Sequence, residues 1–371
     1  MTTAQVMFSE HELLEDHGDL EPLFAGGVRC HGGFDVTGTY VSPRTKNRWP
    51  AIDAWEEQRR VQFGTDLLDI PLDTWPESFP NIEQSKLLLR HGVSAPTIAA
   101  LTRIGTIEGF GVMLRHLPIP DFQGGFDEEI EGTAIAHIGG GLFEAHARDE
   151  AGFGDRAGHD KMWFAARDIA FEHPVTEDET ARMLARMGIG GGAARSADEL
   201  TAMRRVAEAA RVLPADIDYT LELVVTRMIG LLLIEISAFH GFAWAAGVLS
   251  DEELVAGEGE AARLVGYIRA DESPHVAWLR TALSEMRDRT WVGDSGRRYA
   301  GADMVGMLWD RGLGDSLQGR RHDNLNTIMR EIELATGQVA GGQDLVDEML
   351  SLGHVVRLAD GTVGDSVPLV G

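Results

Sequence analysis

From residue 92 onward, apolar residues recur at intervals of three and four positions, which is the spacing of a helix that buries one face. Alternating strand patterns are almost absent between residues 92 and 335. Polar N-cap residues followed three positions later by Glu mark helix starts, as at Ser250 and Glu253. These patterns predict a mainly α protein. The predicted helices cover about residues 95–116, 128–149, 158–173, 177–187, 197–211, 215–247, 259–288, 300–311 and 320–335.

The two ends of the chain lack this periodicity. Turn-forming residues are frequent in the first ninety residues, and the pattern there predicts short strands within 28–41 and a short helix over 51–66. The tail over 353–371 alternates Val and Leu with Gly and Asp, which predicts a short hairpin. We therefore predict three regions: an irregular N-terminal region with short strands (1–91), a helical bundle (92–290), and a C-terminal helical extension and tail (291–371).

Acidic residues outnumber basic residues. The 371 residues include 33 Lys plus Arg and 59 Asp plus Glu, which gives a net charge of −26. Such a surface repels phosphates, so we expect neither nucleic-acid binding nor binding to an anionic membrane. Residues 228–249 are apolar enough to span a bilayer. An acid near mid-depth, Glu235, and the lack of basic flanks favour the central helix of a bundle instead.

Cys30 is the only cysteine, so the chain can form no internal disulfide and no thiolate-rich zinc or iron–sulfur site. The first 21 residues are acidic and lack the basic and apolar segments of a secretory signal. We therefore expect a reducing, cytoplasmic location. The sequence does not indicate an oligomeric state, and a homodimer stays open.

A carboxylate with apolar neighbours is the first candidate for chemistry. Glu235 lies in the run from Leu231 to Ile236, and all the remaining residues of that run are Leu or Ile. Burying an unpaired carboxylate costs several kcal/mol, so a cation, a proton or strong hydrogen-bond donors should lie beside it. The sequence leaves open whether the partner is a metal ion, a buried Arg or a proton on the acid itself.

A second candidate follows some tens of residues later. Glu272 and His275 are three positions apart and share one face of a helix. A chain that turns after the Glu235 helix and returns antiparallel would bring Glu272 to the level of Glu235. Pro274 lies inside this motif, so it either kinks one continuous helix or starts a new helix after Ser273.

The segment from Asp271 to His275, read with Glu235, resembles the ferritin-like di-iron carboxylate superfamily. Desaturases and related oxidases of that superfamily carry Asp-Glu-x-x-His on the fourth bundle helix and a single Glu on the third. The resemblance covers roughly residues 128–290. It implies a helical bundle in which Glu235, Glu272 and His275 are metal ligands.

The first half of the bundle has no Glu-x-x-His motif. It offers Glu144 on one predicted helix, and Asp155 and His159 near a Gly-rich link over 151–158. If that link is the turn of a helical hairpin, Glu144 and His159 face each other. The pair Asp155-x-x-x-His159 resembles the Asp-x-x-x-His helix of the haem-oxygenase-like di-iron oxidases, so both bundle types stay open. The predicted metal ligands are Glu144, Asp155, His159, Glu235, Glu272 and His275.

His137 precedes three consecutive glycines. Glycine inside a helix costs about 1 kcal/mol relative to Ala, so the run suggests close approach of another helix or of a ligand. His137 is either a histidine of the core or an axial ligand of a haem, and we expect the core histidine.

The resemblances imply a non-haem oxidoreductase that holds two metal ions, iron or alternatively manganese. Carboxylate and imidazole ligands suit these metals and leave coordination positions open for dioxygen. The expected reaction is hydroxylation, N-oxygenation or desaturation of a small organic substrate, with an electron donor that the sequence does not identify. The competing expectation is a metal-free helical scaffold or small-molecule binding protein.

Overall fold

A computed structural model describes residues 8–70, 75–171, 176, 178, 182 and 208–366. Nearly all of the predicted helices over 177–187 and 197–211 lies outside the described residues, and so does the end of the tail. The described part is mainly helical, as the periodicity predicts. Its helices are α1 Glu10–Leu13, α2 Thr45–Phe63, α3 Ile82–Arg90, α4 Ala95–Gly109, α5 Phe122–Gly125, α6 Phe143–Ala151, α7 His159–Ala170, α8 Tyr219–Leu249, α9 Glu260–Asp288, α10 Gly301–Gly314, α11 Arg321–Thr336 and α12 Gly342–Ser351.

The described strands are short and lie outside the helical bundle. All of their pairings are antiparallel, in one three-stranded sheet near the N-terminus and two hairpins. The last hairpin lies where the alternating tail predicts one. The strands are β1 Glu21–Ala25, β2 Val28–Phe34 and β3 Tyr40–Val41 in the sheet, and β4 Thr290–Val292, β5 Arg298–Ala300, β6 Val355–Arg357 and β7 Val363–Asp365 in the hairpins.

Helices α8 and α9 pack against each other and form the centre of the bundle. Helix α8 starts at Asp218, whose carboxylate accepts a hydrogen bond from the N–H of Leu221. Helix α9 runs without interruption through Pro274, so the alternative of a new helix starting at Ser273 is wrong. Glu272 and His275 therefore lie on one continuous helix, as their spacing requires if both are to reach one site.

The predicted helix over 128–149 is helical only in its second half. A 3-10 turn, Ile135–His137, leads into a π-helical turn, Ile138–Leu142, and α6 starts after it. Helix α1 packs on the glycines of the π turn: a Cβ on Gly140 would lie 2.0 Å from the Glu10 carboxyl group. The run of glycines thus reflects the close approach of another helix, and His137 stacks on Trp55 in the core.

Two apolar clusters fill the bundle, and a polar layer separates them. On α8 the first cluster extends to Ile236 and the second begins at Phe242. On α9 the order is reversed, with the second cluster ending at Ile268 and the first resuming at Trp278. The buried Glu235 of α8 and the buried Glu272 and His275 of α9 lie in this layer, because an antiparallel helix pair places the two polar stretches side by side.

A third apolar cluster joins α3, α11, α12 and the β6–β7 hairpin into a C-terminal unit. Along the whole described chain, one helical stretch, Ala95–His116, is long and apolar enough to cross a membrane by length and composition. Alone, that finding is weak evidence for a membrane span. This stretch comprises α4 and its 3-10 continuation, Phe110–His116.

Candidate metal centre

The polar layer contains two groups of side chains that can each hold a metal ion. Within each group the ligand atoms lie within 4.8 Å of one another. Glu150 belongs to both groups, so one carboxylate stands between two adjacent positions. The first group is Glu108, Glu150, His159 and Glu272, and the second is His146, Glu150, Glu235 and His275.

Five helices supply these residues, and helix geometry explains how they meet. On α6, His146 and Glu150 are four residues apart and therefore share a face. On α9, Glu272 and His275 are three residues apart and do the same. Helices α4, α7 and α8 each contribute one ligand, and the α7 ligand is the first residue of its helix. These single ligands are Glu108, His159 and Glu235.

His275 presents its Nδ1 atom to the acids. That nitrogen lies 2.5 Å from Oε2 of Glu272 and 3.1 Å from Oε1 of Glu150. The opposite nitrogen, Nε2, lies 2.9 Å from Oδ2 of Asp149. A proton on Nε2 donated to Asp149 leaves the lone pair of Nδ1 free for a cation, which is the arrangement found at histidine metal ligands.

His159 repeats this arrangement from the other side. Its Nδ1 atom lies 2.6 Å from Oε1 of Glu272 and 3.5 Å from Oε2 of Glu150, and its Nε2 atom lies 3.5 Å from Oδ2 of Asp271. The site thus has two Asp-Glu pairs, one on α6 and one on α9. Asp149 of the first pair faces His275, and Asp271 of the second pair faces His159.

His146 is a third histidine at the site. Its Nε2 atom is 3.3 Å from an oxygen of Glu150 and 3.3 Å from an oxygen of Glu235. The ring stacks on that of His275 with 3.7 Å between centroids. The group that includes Glu235 therefore has two imidazoles, whereas the other group has one.

Charged and hydroxyl groups hold the two aspartates. Asp149 is fully buried and pairs with Arg44 and with Arg48, whose Nη1 atom is 2.9 Å away. Burial opposes ionisation of Asp149, but the two guanidinium groups outweigh it and hold the pKa well below its usual value. Asp271 accepts hydrogen bonds from the hydroxyl of Tyr40 at 2.8 and 3.0 Å. Both carboxylates are thus fixed as acceptors for the histidines.

The donor set fits a cation because several buried polar atoms lack hydrogen-bond partners. Both oxygens of Glu150, Oε1 of Glu272 and the ring nitrogens of His146 and His159 have none. Leaving such atoms unsatisfied costs about 1–3 kcal/mol each. The ligand atoms of each group lie within 4.8 Å of one another, which is close enough for them to share one cation.

The positive charge near the buried carboxyl groups is also too small to keep their pKa values in the usual range. Burial raises the pKa of Glu235 to about 7 and raises that of Glu272. Burial and the neighbouring acids Glu272 and Glu108 raise the pKa of Glu150 well above its usual value. Burial lowers the pKa of His159, but Glu272 and Glu150 outweigh it and raise the value well above normal. A bound cation would favour the ionised form of every one of these acids.

The structure brings together four of the six ligands predicted from sequence: His159, Glu235, Glu272 and His275. Glu144 lies outside both groups. It pairs with Arg148 at 2.8 Å and with Arg115 at 3.1 Å.

Asp155 also lies outside both groups. Its side chain is 73% exposed and pairs with Arg29 at 2.6 Å. The Asp155-x-x-x-His159 spacing therefore does not correspond to a pair that faces one site.

Three members of the groups were not among the predicted ligands: Glu108, His146 and Glu150. Glu108 had a signal in the sequence, because it is the only acid of α4, just as Glu235 stands alone in an apolar run. His146 and Glu150 also had one, because residues four apart share a helix face. His146 and Glu150 were missed because Glu144 was chosen as the inward-facing residue of α6.

A large cavity opens beside the centre. Its volume is about 1320 Å³, and Glu108, His146, Glu150 and Glu235 lie in its wall. The site is therefore accessible to a small molecule from the side of α4 and α8.

Comparisons with protein-family models, with curated proteins and with solved structures find no match for this chain.

Proposed function

We propose that this protein is a non-haem di-metal oxidoreductase that holds two iron ions and activates dioxygen to hydroxylate, N-oxygenate or desaturate a small organic substrate. The observation that carries the proposal is the pair of ligand groups that share Glu150. Four glutamates and three histidines are the hard and borderline ligands that iron and manganese accept. The ferritin-like resemblance of the segment from Asp271 to His275, with Glu235, supports the same proposal.

Bound iron would supply the redox chemistry with dioxygen, and the chain's own residues would prepare the site for it. Asp149 holds the ring of His275 in one orientation through Nε2, and Asp271 faces Nε2 of His159 at 3.5 Å. Arg44 and Arg48 keep Asp149 ionised, so that it remains an acceptor for the His275 proton.

The surroundings exclude water from the inner side of the site. Trp278 and Phe143 are fully buried, and the Trp278 ring stands edge-on to His146. Access is thereby confined to the cavity side, where substrate would meet the carboxylates of Glu108 and Glu235.

The first test is metal content. Protein reconstituted anaerobically with Fe(II) and freed of excess metal is expected to hold two irons per chain and to consume dioxygen when reduced. Glu235→Gln should lower the iron content because it removes a ligand charge from one group. The matched control is Glu144→Gln, which changes a neighbouring glutamate outside both groups and should keep two irons. Absence of bound iron in wild-type protein, or equal loss in both variants, would contradict the proposal.

The second candidate is a metal-free small-molecule binding protein. The observation in its favour is the close His159–Glu272 contact of 2.6 Å, in which a protonated imidazole can neutralise a buried acid without a metal. The visible absorption spectrum after Co(II) treatment distinguishes the two candidate functions. Co(II) in a carboxylate and imidazole site gives visible d–d absorption, so a colourless, metal-free protein after Co(II) treatment would favour the binding protein.

A further inference from the structure

The cavity is larger than the metal centre needs. Its volume of about 1320 Å³ exceeds the roughly 300–1,000 Å³ of most small-molecule sites. It lies between α8 on one side and α4 with its 3-10 continuation on the other. The ligands Glu108, His146 and Glu235 lie in its wall, so the space beyond them is available to an organic molecule.

Large apolar side chains line this cavity and remain exposed to it. Phe110 is 53% exposed, Met113 58%, Ile234 42% and Ile107 39%. Exposed apolar side chains that converge on one concavity mark a binding site more often than chance surface exposure. Burial of such side chains against a ligand yields about 25 cal/mol per Å² of apolar area.

Helix α8 gives the cavity a long axis. Arg227, Leu231 and Ile234 line it at intervals of three to four residues along one side of the helix, and Glu235, which follows Ile234, lines it too. Arg227 and Glu235 are eight residues apart, so they are separated by about 12 Å along the helix axis. Apolar residues occupy the stretch between them.

Charged residues of both signs line one part of the cavity, and we call this part its mouth. Arg227, Asp310 and Asp323 lie there, together with Arg311, which pairs with Asp315. A polar end group of either sign can be solvated or paired at such a mouth. The apolar stretch, by contrast, favours hydrocarbon over charge.

We infer that this cavity binds an elongated, predominantly apolar organic molecule, with its apolar end beside Glu235 and its polar end at the mouth. Binding itself needs no metal, and only the identification of this molecule as the substrate rests on the proposed function. The class of ligand is thus a medium-length aliphatic or aromatic-aliphatic compound with one polar end.

Gly230 offers a sharp test because it lines the cavity and a Cβ placed on it would meet no described atom within 4 Å. Gly230→Leu should fill the space without a clash, and it should favour the helix by up to about 1 kcal/mol. Gly266→Leu is the matched control: Gly266 lies in α9, also has open space at its Cβ, and is not a lining residue.

The experiment is calorimetric titration of metal-free protein with decanol, decanoate and decyltrimethylammonium. We expect at least one of them to bind wild-type protein with micromolar affinity and to show which end group the mouth prefers. Gly230→Leu should weaken that binding about tenfold or more, while Gly266→Leu should leave it unchanged. A second variant, Ile234→Asn at an exposed position beside Glu235, should also weaken it because the amide replaces apolar contact.

Failure of all three compounds to bind would overturn the inference, and so would equal effects of the two glycine substitutions. Iron content is measured on separate portions of the same proteins after reconstitution with Fe(II), since Gly230→Leu leaves every candidate ligand in place. Failure of wild-type protein to bind any probe, while it can hold two irons, overturns the inference alone. Intact probe binding without any iron overturns the proposed di-metal function alone.

Discussion

At the scale of single residues, the centre is asymmetric because of His146. Both groups share Glu150, and each has one histidine whose Nε2 atom faces an aspartate. Only the group with Glu235 has a further imidazole. Imidazole is a softer donor than carboxylate, so the two positions differ in the metals that they favour.

The asymmetry predicts unequal loss of metal. His146→Gln keeps a side chain of similar size but removes an imidazole ligand, so we expect metal content to fall from two ions per chain toward one. Metal analysis after gel filtration measures it. His116→Ala, which alters an exposed histidine in the cavity wall, is the control and should retain both ions. Loss of both ions from His146→Gln would show that the two positions fill only together.

His31 predicts a pH dependence of stability. Burial, and secondly Arg44, lower the pKa of this histidine to about 3, and its ring nitrogens have no hydrogen-bond partners. The folded pKa lies below the unfolded one of 6.5, so the full stability is present above pH 6.5 and is lost as the pH falls toward 3.

His31→Leu should remove this loss. The substitution changes the free energy of unfolding by an amount that depends on pH. That change should be about 2 kcal/mol more favourable near pH 5 than at neutral pH, since each pKa unit corresponds to about 1.4 kcal/mol. Urea unfolding of both proteins at several pH values provides the measurement. A stability difference that does not change with pH would refute the assignment of His31 as a buried neutral histidine.

At the scale of elements, irregular turns place the ligands. The 3-10 continuation of α4 presses Gly111 against α6, where a Cβ would lie 2.2 Å from Cγ and 2.6 Å from Cβ of Glu150. Only a glycine lets the carboxylate shared by both groups occupy its position. The backbone of one helix thus sets the side chain of another.

Gly111→Ala should therefore displace Glu150 and weaken the binding of both metals by about tenfold to a hundredfold, as changes beside metal ligands commonly do. Competition with a chromophoric chelator measures the affinities. The control is Gly230→Ala, because a Cβ there meets open space. Unchanged affinity in Gly111→Ala would mean that Glu150 does not need its observed position.

The π-helical turn over Ile138–Leu142 explains why Glu144 was predicted as a ligand. A straight helix over 128–149 can be drawn with Glu144 facing inward. A π turn adds a residue to one turn and so rotates the following residues by about 100°. Helix α6 accordingly presents His146 and Glu150 to the polar layer, and Glu144 faces Arg115 and Arg148.

At the scale of the whole molecule, the buried polar layer lowers the stability of the fold, and a bound cation would reduce this destabilisation. Burial, and secondly the neighbouring acids, raise the pKa of Glu150, and several buried atoms of the two groups lack hydrogen-bond partners. The apolar clusters on both sides confine water to the cavity side of the layer. Stability of the fold and occupancy of the site should therefore be linked.

That linkage predicts a higher melting temperature with metal. At a free Fe(II) or Mn(II) concentration one hundred times the dissociation constant, one site should add about 2.7 kcal/mol to the free energy of unfolding. Anaerobic thermal denaturation with and without a chelator measures the change. The Glu144→Gln variant should respond as wild type does, and no shift in either protein would argue against a metal-dependent fold.

The helical class, the positions of α8 and α9, and the candidates Glu235, Glu272 and His275 could all be predicted from the amino-acid sequence alone. This was possible because a lone acid in an apolar run and an i, i+3 spacing are local properties. That Glu108, His146 and Glu150 belong to the same site became apparent only from the tertiary contacts. Which face of a helix points inward depends on the packing of α1 on the π turn and of Gly111 on α6, and these contacts join residues far apart in the chain.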